Sequence, residues 1–63
     1  MDKSKFEEAT KNLQQGDHVC VVIRGNYGNY VVHGEIHKIE NGRIYLTEGM
    51  SHHYKRIISI STR

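Results

Sequence analysis

Proline is absent from this 63-residue chain, so no residue removes a backbone donor from a strand or kinks a helix. That suits a compact sheet. Only one cysteine is present, which excludes an internal disulfide, and no Cys/His spacing reads as a zinc site. Cys20 stands between Val19 and Val21 and reads as a small buried hydrophobe rather than a reactive thiol. No signal peptide, lipidation motif or long apolar run occurs, so a soluble cytoplasmic protein without membrane contact is expected. Charge is nearly balanced, nine basic residues against seven acidic, for a formal net of +2. Such a balance permits a polyanionic partner without requiring one, and it excludes a histone-like basic tail.

Catalytic chemistry is also missing. The serines have no identifiable base, and no glycine-rich loop joins a strand to a helix to cradle phosphate. A non-enzymatic protein without a cofactor is therefore expected. Residues 1–63 make one domain, and so short a chain buries too little surface to be comfortably stable alone. With disulfide and metal excluded, self-association is the remaining source of stability.

What is present is a change of period. Residues 4 to 15 predict an amphipathic helix, with Ser4 and Glu7 as a capping box, Phe6, Ala9, Thr10 and Leu13 as a narrow apolar face, and Gly16 as its stop. From His18 the spacing becomes that of strands. Val19, Val21 and Ile23 share one face and Cys20 and Val22 the other, as expected of a strand covered on both sides or belonging to a small barrel. Arg24 to Tyr30 reads as a hairpin loop whose Gly and Asn residues tolerate positive φ.

Val31 to Ile39 predicts a second strand in which Ile39 falls off the parity of Val32, Gly34 and Ile36. A bend or bulge is expected, at Gly34 by preference. Asn41-Gly42 is the strongest hairpin signal in the chain, and Ile44 and Leu46 resume alternation in a third strand. Glu48 to Ser51 reads as a polar turn, His52 to Lys55 as a fourth strand and Ile57 to Ser61 as a fifth. The expected fold is mainly β (α+β): an N-terminal helix, then a strongly bent five-stranded antiparallel barrel over residues 18–61.

Gly34, Ile36, Ile39, Glu40, Asn41, Ile44 and Leu46, followed by Tyr54-Lys55-Arg56 with Ile58 and Ser59, resemble the two motifs of the Sm-like family, most closely its bacterial Hfq-like group. The resemblance spans the helix and all five strands, and its specific part is the second half of the chain. It implies an SH3-like small barrel, assembly into a homo-oligomeric ring, and binding of uridine-rich single-stranded RNA on the face bearing the helices. Lys55 and Arg56 are then the implied RNA contacts. Two departures stand out: Gly42 occupies the place where the family commonly has an aromatic base-stacker, and Arg56 replaces the histidine of its corner.

From residue types alone, Tyr54, Lys55 and Arg56 combine a planar ring with two cations, as single-stranded nucleic acid requires; filling of the barrel end by Tyr54 is the plainer alternative. Tyr27 and Tyr30 are candidate stacking residues beside Arg24, or rings folded back over a small core. Asn41 completes the candidate RNA set. His33, Glu35 and His37 alternate along one strand, but their spacing of about 7 Å prevents the histidines from sharing a metal, and a polar stripe is the better account. His52 and His53 are adjacent, so they point to opposite faces of any strand. Two functions from different classes compete: a non-catalytic RNA-binding ring, and a small protein-interaction module using the Gly25–Tyr30 loop or an exposed strand edge.

Overall fold

A computed structural model describes residues 1–47 and 49–62. Helix α1 (Lys3–Thr10) precedes β1 (His18–Gly25), β2 (Gly28–Glu40), β3 (Arg43–Leu46) and β4 (Ser51–His53). A 3-10 turn at Tyr54–Arg56 then leads into β5 (Ile57–Thr62). The strands form one antiparallel sheet in the order β4-β3-β2-β1-β5. The molecule is thus mainly β, with the helix first and five antiparallel strands, as expected. The sheet is open rather than the expected barrel, because β4 and β5 lie at opposite edges and no ladder joins them among the described residues.

Helix α1 is shorter than the predicted 4–15. Asp2 rather than Ser4 caps it, its Oδ1 accepting from the Lys5 amide at 2.8 Å. At the other end, Thr10 Oγ1 donates back to the Phe6 carbonyl at 2.8 Å, the competition with the backbone that weakens a helix at threonine. Residues 11–17 continue in turns, with Gly16 at φ +93°. This segment is pinned to β2 by Gly16 N–H to Ile36 O (2.8 Å) and Ile36 N–H to Asp17 O (2.9 Å). Only Phe6 of the predicted apolar stripe is fully buried; Thr10 and Leu13 are half-buried and Ala9 is exposed.

In β1 the alternation holds: Val19, Val21 and Ile23 are buried, and each contributes about 1.5–3 kcal/mol of apolar burial. Cys20 and Val22 are half-buried on the outer face, so β1 is covered fully on one side only. Cys20 is therefore not the core residue its neighbours suggested.

The expected irregularity in β2 occurs at His37, not at Gly34. Residues 28–35 of β2 pair with β1, ending at His18↔Glu35, and from Ile36 the strand pairs with β3. The register shifts between Ile36 and Lys38, where the strand passes from one partner to the other. The extra residue lets Ile36 (opposite Leu46) and Ile39 (opposite Ile44) turn to the same face, which accounts for the parity slip. Gly34 is still in register opposite Val19.

Asn41 (φ 53°) and Gly42 (φ 74°) both adopt the left-handed conformation that a primed hairpin turn demands. Of the predicted Glu48–Ser51 turn, Glu48 lies outside the described residues, Gly49 takes φ +83° and Ser51 already belongs to β4. The predicted fourth strand ends at His53, because Tyr54–Arg56 coils into the 3-10 turn. Phe6, Ile36, Ile44, Leu46 and Ile57 complete the core with the β1 residues. Among the described residues no helix is long and apolar enough to cross a membrane.

Candidate functional site

The 3-10 turn divides the predicted site. Tyr54 is half-buried, its ring 5.9 Å from that of Phe6 and 4.3 Å from that of His53. Its amide donates to the Gly42 carbonyl at 2.9 Å, fastening the turn to the β2–β3 hairpin. A Cβ added at Gly42 would lie 2.9 Å from Tyr54 Cδ2. The ring therefore occupies the space a side chain at position 42 would need.

Around this corner lies a groove of about 600 Å³, walled by Lys3, Phe6, Glu40, Asn41, Gly42 and Tyr54 among others. Helix α1 supplies one wall and the β2–β3 turn the other. Its charge is mixed. Glu40 pairs with Lys38 at 2.9 Å, which raises the Lys38 pKa above the usual lysine value, and the same ammonium sits 4.7 Å from the Tyr45 ring centre.

Lys55 and Arg56 are exposed on the 3-10 turn and do not wall the groove. The Lys55 amide donates to His53 Nδ1 at 3.2 Å, an arrangement that leaves the imidazole proton on Nε2. Arg56 Nη2 makes a long 3.4 Å contact with the Arg24 carbonyl. So Tyr54 and Asn41 share the groove, whereas the two cations face elsewhere.

The tyrosines separate as well. The predicted loop Arg24–Tyr30 is a tight turn in which Gly25 pairs with Gly28, leaving only Asn26 and Tyr27 outside the ladder. Tyr27 projects fully into solvent at its tip, while Tyr30 is 47% exposed. Tyr30 walls a second cleft, of about 370 Å³, together with Arg43, Ser51, His52, His53 and Arg56.

Sequence reasoning found neither Arg43 nor His52 as a site residue. The signal was faint: the opposite orientations expected of His52 and His53 are realised, His52 being 8% exposed and His53 half-buried. What was illegible is that Arg43 lies directly opposite His53 across the β3–β4 ladder. Burial lowers the His52 pKa below the usual histidine value. His53 is lowered by desolvation first and then by the charges of Arg43 and Lys55.

Elsewhere, Glu35 meets His18 Nε2 at 3.2 Å across the β1–β2 ladder. Among the described residues no three His, Cys, Asp or Glu side chains converge as a metal site. Comparison of the chain with family models, with curated proteins and with solved structures yields no match.

Proposed function

We propose that this protein is a non-catalytic single-stranded RNA-binding protein of Sm-like kind, acting as a homo-oligomeric ring of small five-stranded units. One observation carries the reading: a single 3-10 turn bears a ring fastened over the Asn41–Gly42 hairpin and, next to it, two exposed cations. A base stacks at Tyr54, which shares a groove with Asn41, or at a loop tyrosine, and Lys55 and Arg56 neutralise phosphate. Ring formation is supported by the two free edges, β4 and β5, which a second copy can pair. The small core adds a reason for such pairing.

The test is fluorescence anisotropy with labelled oligo(U) and oligo(A) at several salt concentrations, alongside light-scattering mass. Tight binding that weakens steeply with salt, lost in a folded Lys55→Glu/Arg56→Glu variant, is the expected result. Unchanged affinity in that variant refutes the site.

A second reading, a protein-interaction module, draws on the full exposure of Tyr27 at the tip of the β1–β2 hairpin. A monomer with no RNA affinity at low salt favours it.

A further inference from the structure

We infer that the cleft between the end of the β1–β2 hairpin and the β3–β4 pair binds the phosphate of a nucleotide, with Arg43 and Arg56 as anion partners and Tyr30 beside the base. Four observations converge on it. Among the described residues, the walls of this cleft carry two guanidinium groups, two imidazoles, one phenol ring and the Ser51 side chain, and no carboxylate. Glu40 lies opposite Arg43 in the β2–β3 register, yet its carboxylate is taken by Lys38, and no described carboxylate pairs with either arginine. Two unmatched guanidiniums facing one small cavity repel each other unless an anion sits between them.

His52 supplies the third observation. It is nine-tenths buried in the wall of this cleft, and its Nε2 is the one buried side-chain polar atom without a partner among the described residues. A buried polar atom left unpaired is costly, and a ligand oxygen is the partner this environment lacks. Fourth, Tyr30 is held in place. A Cβ on Gly25 would stand only 3.1 Å from Tyr30 Cδ1 and Cε1, so the ring lies over the bare glycine backbone at the mouth of the cleft. Half of its surface remains open for stacking. A phosphate, with more acceptor oxygens than a carboxylate, suits two guanidiniums and an imidazole together. The volume of about 370 Å³ falls in the range of small-molecule sites.

This inference extends the RNA reading and shares Arg56 with it, but it does not require Tyr54 or Lys55, which do not wall the cleft. The experiment is a titration of the full ¹⁵N-labelled chain with inorganic phosphate, with uridine monophosphate and with oligo(U), followed by amide and histidine-ring shifts. Saturable shifts centred on Tyr30, Arg43, His52 and His53 are expected with all three. Arg43→Gln, at an exposed position, keeps the wild-type melting temperature and weakens phosphate and nucleotide binding by about tenfold. Tyr30→Ala weakens the nucleotide by about fivefold and leaves phosphate unchanged. Lys55→Gln weakens phosphate binding less than Arg43→Gln does, because Lys55 reaches the cleft only through its charge on His53.

The inference is overturned by absent shifts, by shifts centred on Asn41 and Tyr54, or by unaltered affinity in Arg43→Gln. A poly-glutamate peptide that binds the cleft more tightly than the nucleotide overturns it in favour of an acidic protein segment. Oligo(U) binding that survives Arg43→Gln but fails in Lys55→Glu, without phosphate shifts at the cleft, sinks this site and leaves the RNA corner standing. Cleft shifts with phosphate and uridine monophosphate, together with no oligo(U) affinity, support the site as one for free nucleotides and remove the RNA reading.

Discussion

The two hairpin ends of this molecule are built from the same few residue types and behave differently. The β2–β3 turn places Asn41 and Gly42 both at positive φ, the primed geometry that follows the twist of its strands. Tyr54 then covers it, backed by Phe6 and His53. At the β1–β2 end, neither Asn26 nor Tyr27 takes positive φ; Gly28 alone does, at +124°, with open space where a side chain would go. Tyr27 touches nothing that reduces its exposure. A tyrosine and a glycine thus make a fastened corner at one end and a free tip at the other. The difference comes from which distant element arrives to pack on the turn.

The greatest loss is expected from Tyr54→Ala, which removes the ring joining α1, the β2–β3 turn and the 3-10 turn. Urea unfolding should show about 2–4 kcal/mol of destabilisation, a large part of what so small a domain possesses. Gly42→Ala should cost about 2–3 kcal/mol, because strain at positive φ is added to a contact with the Tyr54 ring. The pair should be non-additive: in Tyr54→Ala the contact at position 42 is relieved, and a coupling of about 1 kcal/mol is expected in a double-mutant cycle. Strict additivity would mean that ring and glycine do not meet.

Acid should act on the same end. Both His52 and His53 have pKa values depressed in the folded state, so below about pH 6.5 the unfolded chain binds more protons than the folded one. Stability present above that pH is lost as pH falls toward the folded values. Hydrogen exchange should show β3–β4 amides losing protection before those of β1, and His52→Gln should flatten the pH dependence. The smallest effect belongs to the free tip: Tyr27→Ala should change stability by less than about 0.5 kcal/mol. Any effect it has on oligo(U) or protein binding would then report contact rather than folding.

Much of the sheet was legible because its signals are local. Strand β1 shows its buried face as alternation, and the parity slip at Ile39 foretold a bulge. It pointed to Gly34 rather than His37, because the position of the bulge depends on where β2 leaves β1 for β3. The helix was overextended because Leu13 kept the apolar spacing, while the decisive bond, from the Thr10 hydroxyl to Phe6, competes with it invisibly. Tyr54–Arg56 read as strand and corner because its three residues carry no marker of a 3-10 turn; the His53 acceptor and the Gly42 carbonyl that hold it lie outside the triplet. Of the candidate contacts, Tyr54 and Asn41 share the groove, Tyr30 and Arg56 wall the other cleft, Lys55 lies outside both, and Tyr27 stands apart.

By itself the sequence determined the elements whose physics is confined to near neighbours: a hairpin at Asn41–Gly42, a strand at Val19–Ile23, a helix around Phe6, and a basic aromatic triplet at Tyr54–Arg56. Only the tertiary structure decided that Gly42 lies beneath Tyr54, that Tyr54 and Arg56 wall different clefts with Lys55 outside both, and that Arg43, His52 and Arg56 meet around one cavity. Those facts are contacts between residues far apart along the chain. Backbone preference and side-chain period carry no record of them, because both act over a few residues at most.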